Sequence, residues 1–490
     1  MTKSLRQYLV RQLGSDVGYG SNEEAALAAV RLLEDWSEQK GERDRVCYGE
    51  LETLIASVVQ SLELERVVPE LAKMGDDIVG AISALDFERR LDLVEQGERA
   101  ILARLSEFSG ALSAQADLDP VKRQSSALAI AAWDCRRIAG RAGRDSQAGP
   151  DQDVSITAPK LEAYLRDRFA DPDLTLTAFA AVSGGFGKET IIFAASARAL
   201  TGEFVLRRDR SSPILDNDCH RVSQEYPVIR AVASHGFPAP EVLWLDVEHH
   251  LLPGGDFLVM RRSPGAACGD IFGGANALSA AIQQNWAEAV ADLHRLPQLT
   301  ELGDLTNSIR TELWNLPLQH VSARYIRDYY DHYLANSPAP LPSLAALYAW
   351  LLANVPDGEI GAPALVHGDL GLQNLLLDGD RLSIILDWEM AHVGDPMEDL
   401  AYIRNAAGNN IDWDYFLGVY EERTGRTIAP AHLHFYRVWG HVRNATGAAI
   451  GSDRYSSGAL TDFNIAPMGF FYVPRFLDEA IRLIGAGAAS

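Results

Sequence analysis

His367-Gly368-Asp369-Leu370-Gly371-Leu372-Gln373-Asn374, followed after a hairpin by Ile384-Ile385-Leu386-Asp387, is the stretch on which the fold turns. Asp369 and Asn374 share one loop, so a carboxylate and an amide oxygen can address the same centre. Ala364-Leu365-Val366 reads as a short buried strand, and Gly368 lets the chain turn tightly before Asp369. Asn374-Leu375-Leu376-Leu377 is a second apolar run, Asp378-Gly379-Asp380 is a hairpin signal, and Leu382 to Leu386 runs back as its partner. Asp369, Asn374 and Asp387 are therefore expected to converge at one end of a small sheet. The bland alternative is a β-hairpin with Asp and Asn at ordinary turn positions. It requires the His-Gly-Asp triplet, the following Asn and the strand-end Asp to coincide.

Phosphoryl transfer needs this set. One carboxylate orients an attacking hydroxyl and accepts its proton, while an amide oxygen and a second carboxylate hold the magnesium that bridges nucleotide phosphates. The catalytic string H-R-D-L-x-x-x-N is matched here with Gly368 in place of Arg. After Asp387 come Trp388 and Glu389, where a protein kinase has Phe-Gly. That departure argues against a flipping on/off segment and leaves the metal carboxylate in place.

A nucleotide grip is expected upstream. Val182-Ser183-Gly184-Gly185-Phe186-Gly187-Lys188-Glu189-Thr190 is a Gly-rich turn between apolar segments that would bring backbone N–H groups close to phosphates. It is not a Walker A loop: Val182 stands where Gly is required, and Glu189 follows the Lys where Ser or Thr should ligate magnesium. Glu203-Phe204-Val205-Leu206-Arg207 follows as a strand ending in a cation suited to phosphate, with Arg208 on the opposite face. His220 to Val232 has helical periodicity, and Glu225 is the candidate partner for Arg207. Pro227 in that stretch implies a kink or a later helix start. Pro238 to Leu245 and Phe257-Leu258-Val259-Met260 read as two further strands. The second leads into Arg261-Arg262-Ser263-Pro264-Gly265, a hinge whose backbone would meet an adenine edge.

In this order the residues resemble a known family. Gly184-Gly185, Val205-Leu206-Arg207-Arg208, Glu225-Tyr226, Leu293-His294, His367-Gly368-Asp369, Asn374, Leu386-Asp387-Trp388-Glu389, Gly394-Asp395-Pro396 and Asp399-Leu400-Ala401-Tyr402 look like the aminoglycoside phosphotransferase and choline kinase superfamily. The resemblance is to its phosphotransferase-family branch, which includes kinase domains fused to some acyl-CoA dehydrogenases, and it covers about residues 160 to 480. It implies an α+β, bilobal protein-kinase-like fold with a small β-rich N-lobe and a mainly helical C-lobe. It also implies ATP (or GTP) with Mg2+ as cofactors, and a small-molecule hydroxyl as acceptor. By the same resemblance Asp369 is the catalytic base, Asn374 and Asp387 hold magnesium, and Arg207 with Glu225 positions phosphate. Gly184, Gly185, Gly187, Met260 and Arg262 contact the nucleotide, while His367 and Asp399 support the catalytic loop. Arg207 departs from the family's more usual lysine.

Composition sets outer limits. A chain of 490 residues with 47% hydrophobic content has room for about three domains and ample core. No apolar run approaches the ~20 residues of a membrane span, and Met1 to Arg6 lead directly into an amphipathic helix without a secretory pattern. Cys47, Cys135, Cys219 and Cys268 are widely spaced and read as reduced thiols. The expectation is a cytoplasmic protein. A net charge of −23 lacks the basic footprint of nucleic-acid binding and suits either a polycationic substrate or plain solubility.

Residues 1 to about 140 read differently, as an all-α bundle. Glu23 to Gln39, Tyr48 to Leu64, Asp76 to Ala114 with a break around Leu85-Asp86, and Pro120 to Ile138 carry apolar residues at helical spacing. They hold no catalytic constellation, since the first histidine of the chain is His220. Trp36 and Trp133 read as core. The bundle is open to three roles: homodimerisation, partner docking, or a lid on the substrate side. Residues 141–159 read as a linker, 160–262 as an N-lobe opened by a helix over Lys160 to Phe169, and 263–490 as a C-lobe with the acceptor pocket.

On the acceptor side Tyr325, Tyr329 and Tyr333 share a helix face as core or pocket wall. Tyr436, Trp439, Arg443 and Asn444 share another, on which Arg443 would bind an anionic group or pair with an Asp. Trp388, Glu389, Trp439 and Arg443 are the candidate substrate residues, and Arg454-Tyr455 lies in an expected mobile loop. The leading acceptor is a hydroxyacyl-CoA or another catabolic alcohol. The alternatives are an aminoglycoside-type antibiotic, or a pseudokinase that serves as a binding scaffold.

Overall fold

The structure, a computed structural model, describes residues 40–85, 91–139, 156–182, 188–198, 200–210, 220–247, 249–274, 276–296, 305, 307–337, 340–357, 361–457, 459–460, 465 and 468–487. The expected helix over Glu23 to Gln39, residues 141–155 of the expected linker and the Gly-rich turn with Gly184, Gly185 and Gly187 lie outside them, while Ala158 and Pro159, the end of that linker, are already helical. Two compact units divide the chain: residues 1–150, 326–354 and 441–486 in one, and 151–325, 355–440 and 487–490 in the other.

The helical unit begins with α1 (Lys40–Ser61), α2 (Pro69–Ser83), α3 (Leu91–Ala114) and α4 (Pro120–Ala139). Tyr48, Leu51 and Ile55 of α1 recur at helical spacing and are buried with Leu71 and Ile78 of α2, Leu105 and Phe108 of α3, and Trp133 of α4. The Trp133 indole N–H donates to the Cys47 carbonyl at 2.8 Å, so the ring is core with its polar edge satisfied.

The other unit opens with α5 (Ala158–Phe169), then β1 (Thr175–Val182), β2 (Lys188–Ser196) and β3 (Thr201–Asp209). Next come α6 (Val222–Ser234), β4 (Val242–Asp246), β5 (Phe257–Arg261), the short β6 (Ala266–Ala267) and α7 (Ala280–Leu293). Five strands form an antiparallel sheet in the order β1-β2-β3-β5-β4. Alternation along β3 sorts its side chains by face. Phe204 and Leu206 pack with Leu161 and Tyr164 of α5, while Val205 packs with Leu258, Met260 and Val222 on the α6 side. Arg207 therefore faces α6. That helix starts at Val222, later than the periodicity alone suggests, because the Asp209 carboxylate accepts the Val222 N–H at 3.1 Å. Pro227 is accommodated inside it.

The chain continues through α8 (Leu318–Asn336) and α9 (Pro342–Ala353) to β7 (Ala364–Val366), β8 (Leu375–Asp378), β9 (Arg381–Ile385) and β10 (His392–Gly394). It ends with α10 (Pro396–Ala407), α11 (Trp413–Thr424), α12 (Pro430–Ser457) and α13 (Val473–Ala486). β6, β8 and β9 form one small sheet, and β7 pairs with β10 in another.

Residues 263–490 are not one lobe, as the sequence reading had them. The helical unit takes back α9 and α13, which pack against α4. A buried acid makes part of this join. Asp134 of α4 accepts the Ser343 backbone N–H at 3.1 Å and its hydroxyl at 2.7 Å, and takes the Arg137 guanidinium at 2.6 Å. Arg454 and Tyr455 lie within α12 rather than in a loop.

Candidate active site

The loop after β7 is held by one carboxylate. Asp399, on the first turn of α10, is fully buried and accepts the backbone N–H groups of His367 and Gly368, each at 2.8 Å. His294, which ends α7, lies 3.0 Å from the same carboxylate and 2.9 Å from the Tyr420 hydroxyl. Burial alone would raise the Asp399 carboxyl, but the bonds from His294 and the His367 backbone outweigh it and hold the group below the usual range. Gly368 is required here: its φ is 81°, and an added Cβ would sit 2.5 Å from the Met390 carbonyl oxygen.

The His367 ring then joins the two loops. Its Nε2 donates to the Leu386 carbonyl at 3.0 Å, and its Nδ1 accepts the Asp369 N–H at 3.2 Å. One neutral tautomer satisfies both contacts. The Asp369 carboxylate receives the Asn374 amide N–H at 2.7 Å and the Gln373 amide at 3.2 Å. With its nitrogen committed there and to the Asp369 carbonyl at 2.9 Å, Asn374 presents its amide oxygen elsewhere. Leu386 N donates to the Asn374 carbonyl at 2.8 Å, which sets Asp387 beside this loop. Asp387 takes a left-handed backbone, with φ 66°. For a non-glycine residue such a conformation costs on the order of 1–3 kcal/mol and concentrates at functional positions.

Arg207 reaches the same place from β3. Its guanidinium donates to Glu225 of α6 at 2.8 Å and to Asp387 at 2.6 Å, with Glu389 at 3.9 Å. Glu225 is fully buried and also accepts the Trp388 N–H at 3.2 Å. Burial pushes its carboxyl up to about 7, although Arg207 and Lys188 pull it down. Glu389 goes the other way: burial is overcome by Lys188, His220 and Arg207, which bring it down to about 2. Arg208 points away to Glu189, at 2.8 Å, and to the Pro253 carbonyl.

The remaining expected residues fall into four groups. Met260 is buried in the sheet, and Arg262 forms a surface pair with Glu203 at 2.8 Å. Trp388 and Trp439 are corrections, since both rings are fully buried and expose no surface to an acceptor. Trp388 packs edge-on against Phe237 and beside His367, and Trp439 packs edge-on against Tyr325. Glu389 belongs to the cation cluster rather than to an acceptor wall. Arg443 is buried, and Tyr325, Tyr329 and Tyr333 are core. Lys188, which opens β2, was not among the expected site residues. It is buried, with Glu389 at 3.0 Å and Asp209 at 3.5 Å.

A small antiparallel sheet carrying a cation, a helix supplying its acid and a looped carboxylate–amide pair below define the class: a small-molecule kinase with a protein-kinase-like fold. The chain belongs to the phosphotransferase enzyme family, whose model matches residues 179–439. It is 28% identical over 250 residues to acyl-CoA dehydrogenase family member 11 of Rattus norvegicus, covering 50% of this chain and 30% of that protein. The chain thus spans under a third of that relative. A shorter match, 46% over 52 residues (10% of this chain, 18% of the other), is to the viomycin phosphotransferase of Streptomyces vinaceus. In fold it resembles a Ralstonia eutropha protein assigned to the aminoglycoside phosphotransferases. The TM-score is 0.50 at 20% identity, over 68% of this chain and 99% of that one.

Proposed function

We propose that the protein transfers the γ-phosphoryl group of ATP (or GTP) to a hydroxyl of a small molecule, with magnesium. The observation that carries this reading is Arg207, bonded at once to Glu225 of α6 and to Asp387 just beyond β9. A permanently charged fork between a helix acid and a strand-end carboxylate is the arrangement that aligns phosphates over a metal.

Asp369 orients the acceptor hydroxyl and takes its proton. Asn374 and Gln373 fix the carboxylate's rotamer, and Asp399 and His367 fix the loop that carries it. Arg207, oriented by Glu225, faces the phosphates, and the Gly-rich sequence of Gly184, Gly185 and Gly187 is our candidate for a further phosphate contact. The backbone between Met260 and Arg262 meets the base. Among the described residues no group of three or more His, Cys, Asp and Glu side chains could by itself hold a metal ion. One carboxylate, Asp387, with the Asn374 amide oxygen suits magnesium, which takes few protein oxygens and completes its shell with phosphate and water. When bound, that ion supplies charge neutralisation to the phosphates. Positioning and charge placement by these side chains then account for most of the rate.

For the acceptor we favour a hydroxyacyl-CoA or a related catabolic alcohol, supported by the similarity to acyl-CoA dehydrogenase family members over 250 residues. The viomycin phosphotransferase match supports an antibiotic acceptor as the second reading. We place the reaction in the cytoplasm, where the nucleotide is, and assign no nucleic-acid or membrane partner. No helix among the described residues is long and apolar enough to cross a membrane. Homodimerisation is our reading of the helical unit's role. The test is ADP release with Mg-ATP across hydroxyacyl-CoAs, small alcohols and aminoglycoside-type or peptide antibiotics. Turnover on one class, lost in Asp369→Asn and in Asp387→Ala, is the expected result. Nucleotide binding without turnover on any class, and an Asp369→Asn variant equal to wild type, would instead favour a scaffold.

A further inference from the structure

Two cations and four carboxylates meet at the site, and their pairing is selective. Arg207 binds Glu225 and Asp387 at 2.8 and 2.6 Å but stands 3.9 Å from Glu389. Glu389 is instead taken by Lys188 at 3.0 Å. The Lys188 ammonium has three N–H bonds, and three acceptors surround it: Glu389, Asp209 at 3.5 Å and the His220 backbone carbonyl. Its side chain is 3% exposed. A phosphate oxygen would have to displace one of these partners, so Lys188 is poorly placed as a direct phosphate ligand.

Glu389 lies two residues after Asp387 and already sits at the edge of Arg207's reach. Without Lys188, the half-buried Glu389 carboxylate would be left uncompensated, with Arg207 as its nearest strong cation. Asp387 and Glu389 approach the same guanidinium nitrogen, at 2.6 and 3.9 Å, so a shift of Arg207 toward Glu389 would come at the expense of its contact with Asp387. We infer that Lys188 is a positioning residue for the nucleotide site: it sequesters Glu389 and so keeps Arg207 on Glu225 and Asp387. This rests on the phosphotransferase reading above. It adds that Lys188 acts through a neighbouring carboxylate and not through the phosphates.

The second observation is where Lys188 stands in the chain. It opens β2 directly after the Gly-rich turn, and through Asp209, whose carboxylate accepts the Val222 N–H, it is linked to the first residue of α6. The strand after the turn, the helix bearing Glu225 and the segment bearing Asp387 thus share one ammonium.

The test is a double-mutant cycle of Lys188→Met and Glu389→Gln in the full-length protein. Binding of a fluorescent ATP analogue with magnesium and steady-state turnover are both measured. Lys188→Met is expected to weaken nucleotide binding about tenfold or more, which is about 1.4 kcal/mol, with the larger effect on the nucleotide KM than on kcat. Glu389→Gln added to Lys188→Met should restore most of that loss, because removing the stray carboxylate frees Arg207. A loss that Glu389→Gln fails to restore would overturn the inference and point to direct phosphate contact or to a packing role. If Lys188→Met does not fold, Lys188→Gln, which keeps a donor for the His220 carbonyl, replaces it in the same cycle. Failure of the wild-type protein to bind the nucleotide would overturn the phosphotransferase reading itself, a result separate from a failed rescue.

Discussion

Replacing Asp399 by Asn tests the scaffolding of the catalytic loop. The side chains are isosteric, but one carboxylate oxygen becomes an NH2 group. Asp399 has the His367 and Gly368 N–H groups on its two oxygens at 2.8 Å, and His294 at 3.0 Å on one of them. Whichever way the amide turns, at least one backbone donor faces another donor in a fully buried place. A hydrogen bond to a charged acceptor contributes roughly 1.5–3 kcal/mol, and a stranded buried donor costs a further 1–3 kcal/mol or so. The expected destabilisation is therefore about 3–5 kcal/mol, in the range found for breaking a buried charged pair. At roughly 2–4 °C per kcal/mol for a domain of this size, the melting temperature should fall by about 6–20 °C. The loop would also shift, and a displacement of about 1 Å at a reacting group costs on the order of a hundredfold in rate. Calorimetry with steady-state kinetics measures both, and nucleotide affinity, which depends on Arg207 and Glu225, should change far less than kcat. A melting temperature within about 2 °C of wild type together with unchanged kcat would refute the claim that Asp399 anchors this loop.

Gly368→Ala should be nearly as damaging. It combines a left-handed φ with a Cβ set 2.5 Å from the Met390 carbonyl, so a loss of about 2–4 kcal/mol is expected in denaturant unfolding. The pH dependence of nucleotide binding should have an ascending limb near 7, because the Arg207–Glu225 pair is complete only once Glu225, pushed up to about 7, has ionised. Glu225→Gln should abolish that limb. The sign for stability is the reverse. Between the ordinary 4.5 and about 7 the folded protein holds a proton that the unfolded chain has released, so the Glu225 contribution to stability declines as pH rises through that window. Melting curves of wild type against Glu225→Gln across that range will read it.

Much of the site was legible because its parts are close in sequence or ordered by it. Asp369 and Asn374 share a loop, and Asp387 comes two residues after the strand that pairs back onto it, so spacing alone brings the three together. Arg207 and Glu225 could be matched because strand alternation and helix periodicity each name a face. Lys188 escaped for the opposite reason: its partners Asp209, His220 and Glu389 come from three separate segments, and nothing local to the Gly-rich turn points to them. The tryptophans were misjudged on another ground. Periodicity says that Trp439 lies on an apolar helix face, but a face turned to core and one turned to a pocket carry the same residues. The return of α9 and α13 to the helical unit was hidden likewise, since an amphipathic helix shows that it needs a partner and not which one.

That return has a consequence for how the protein is made. The helical unit draws on residues 1–150, 326–354 and 441–486, and α4 buries its faces against α9 and α13. Its contacts therefore span hundreds of residues, a topology that slows folding because long loops must close before they are rewarded. At the ribosome the first helices must wait, with apolar surface uncovered, until almost the whole chain has emerged, and N-to-C folding domain by domain is closed to it. The unit first synthesised is among the last completed, and a chain cut after residue 150 would carry its helices without the partners that cover them.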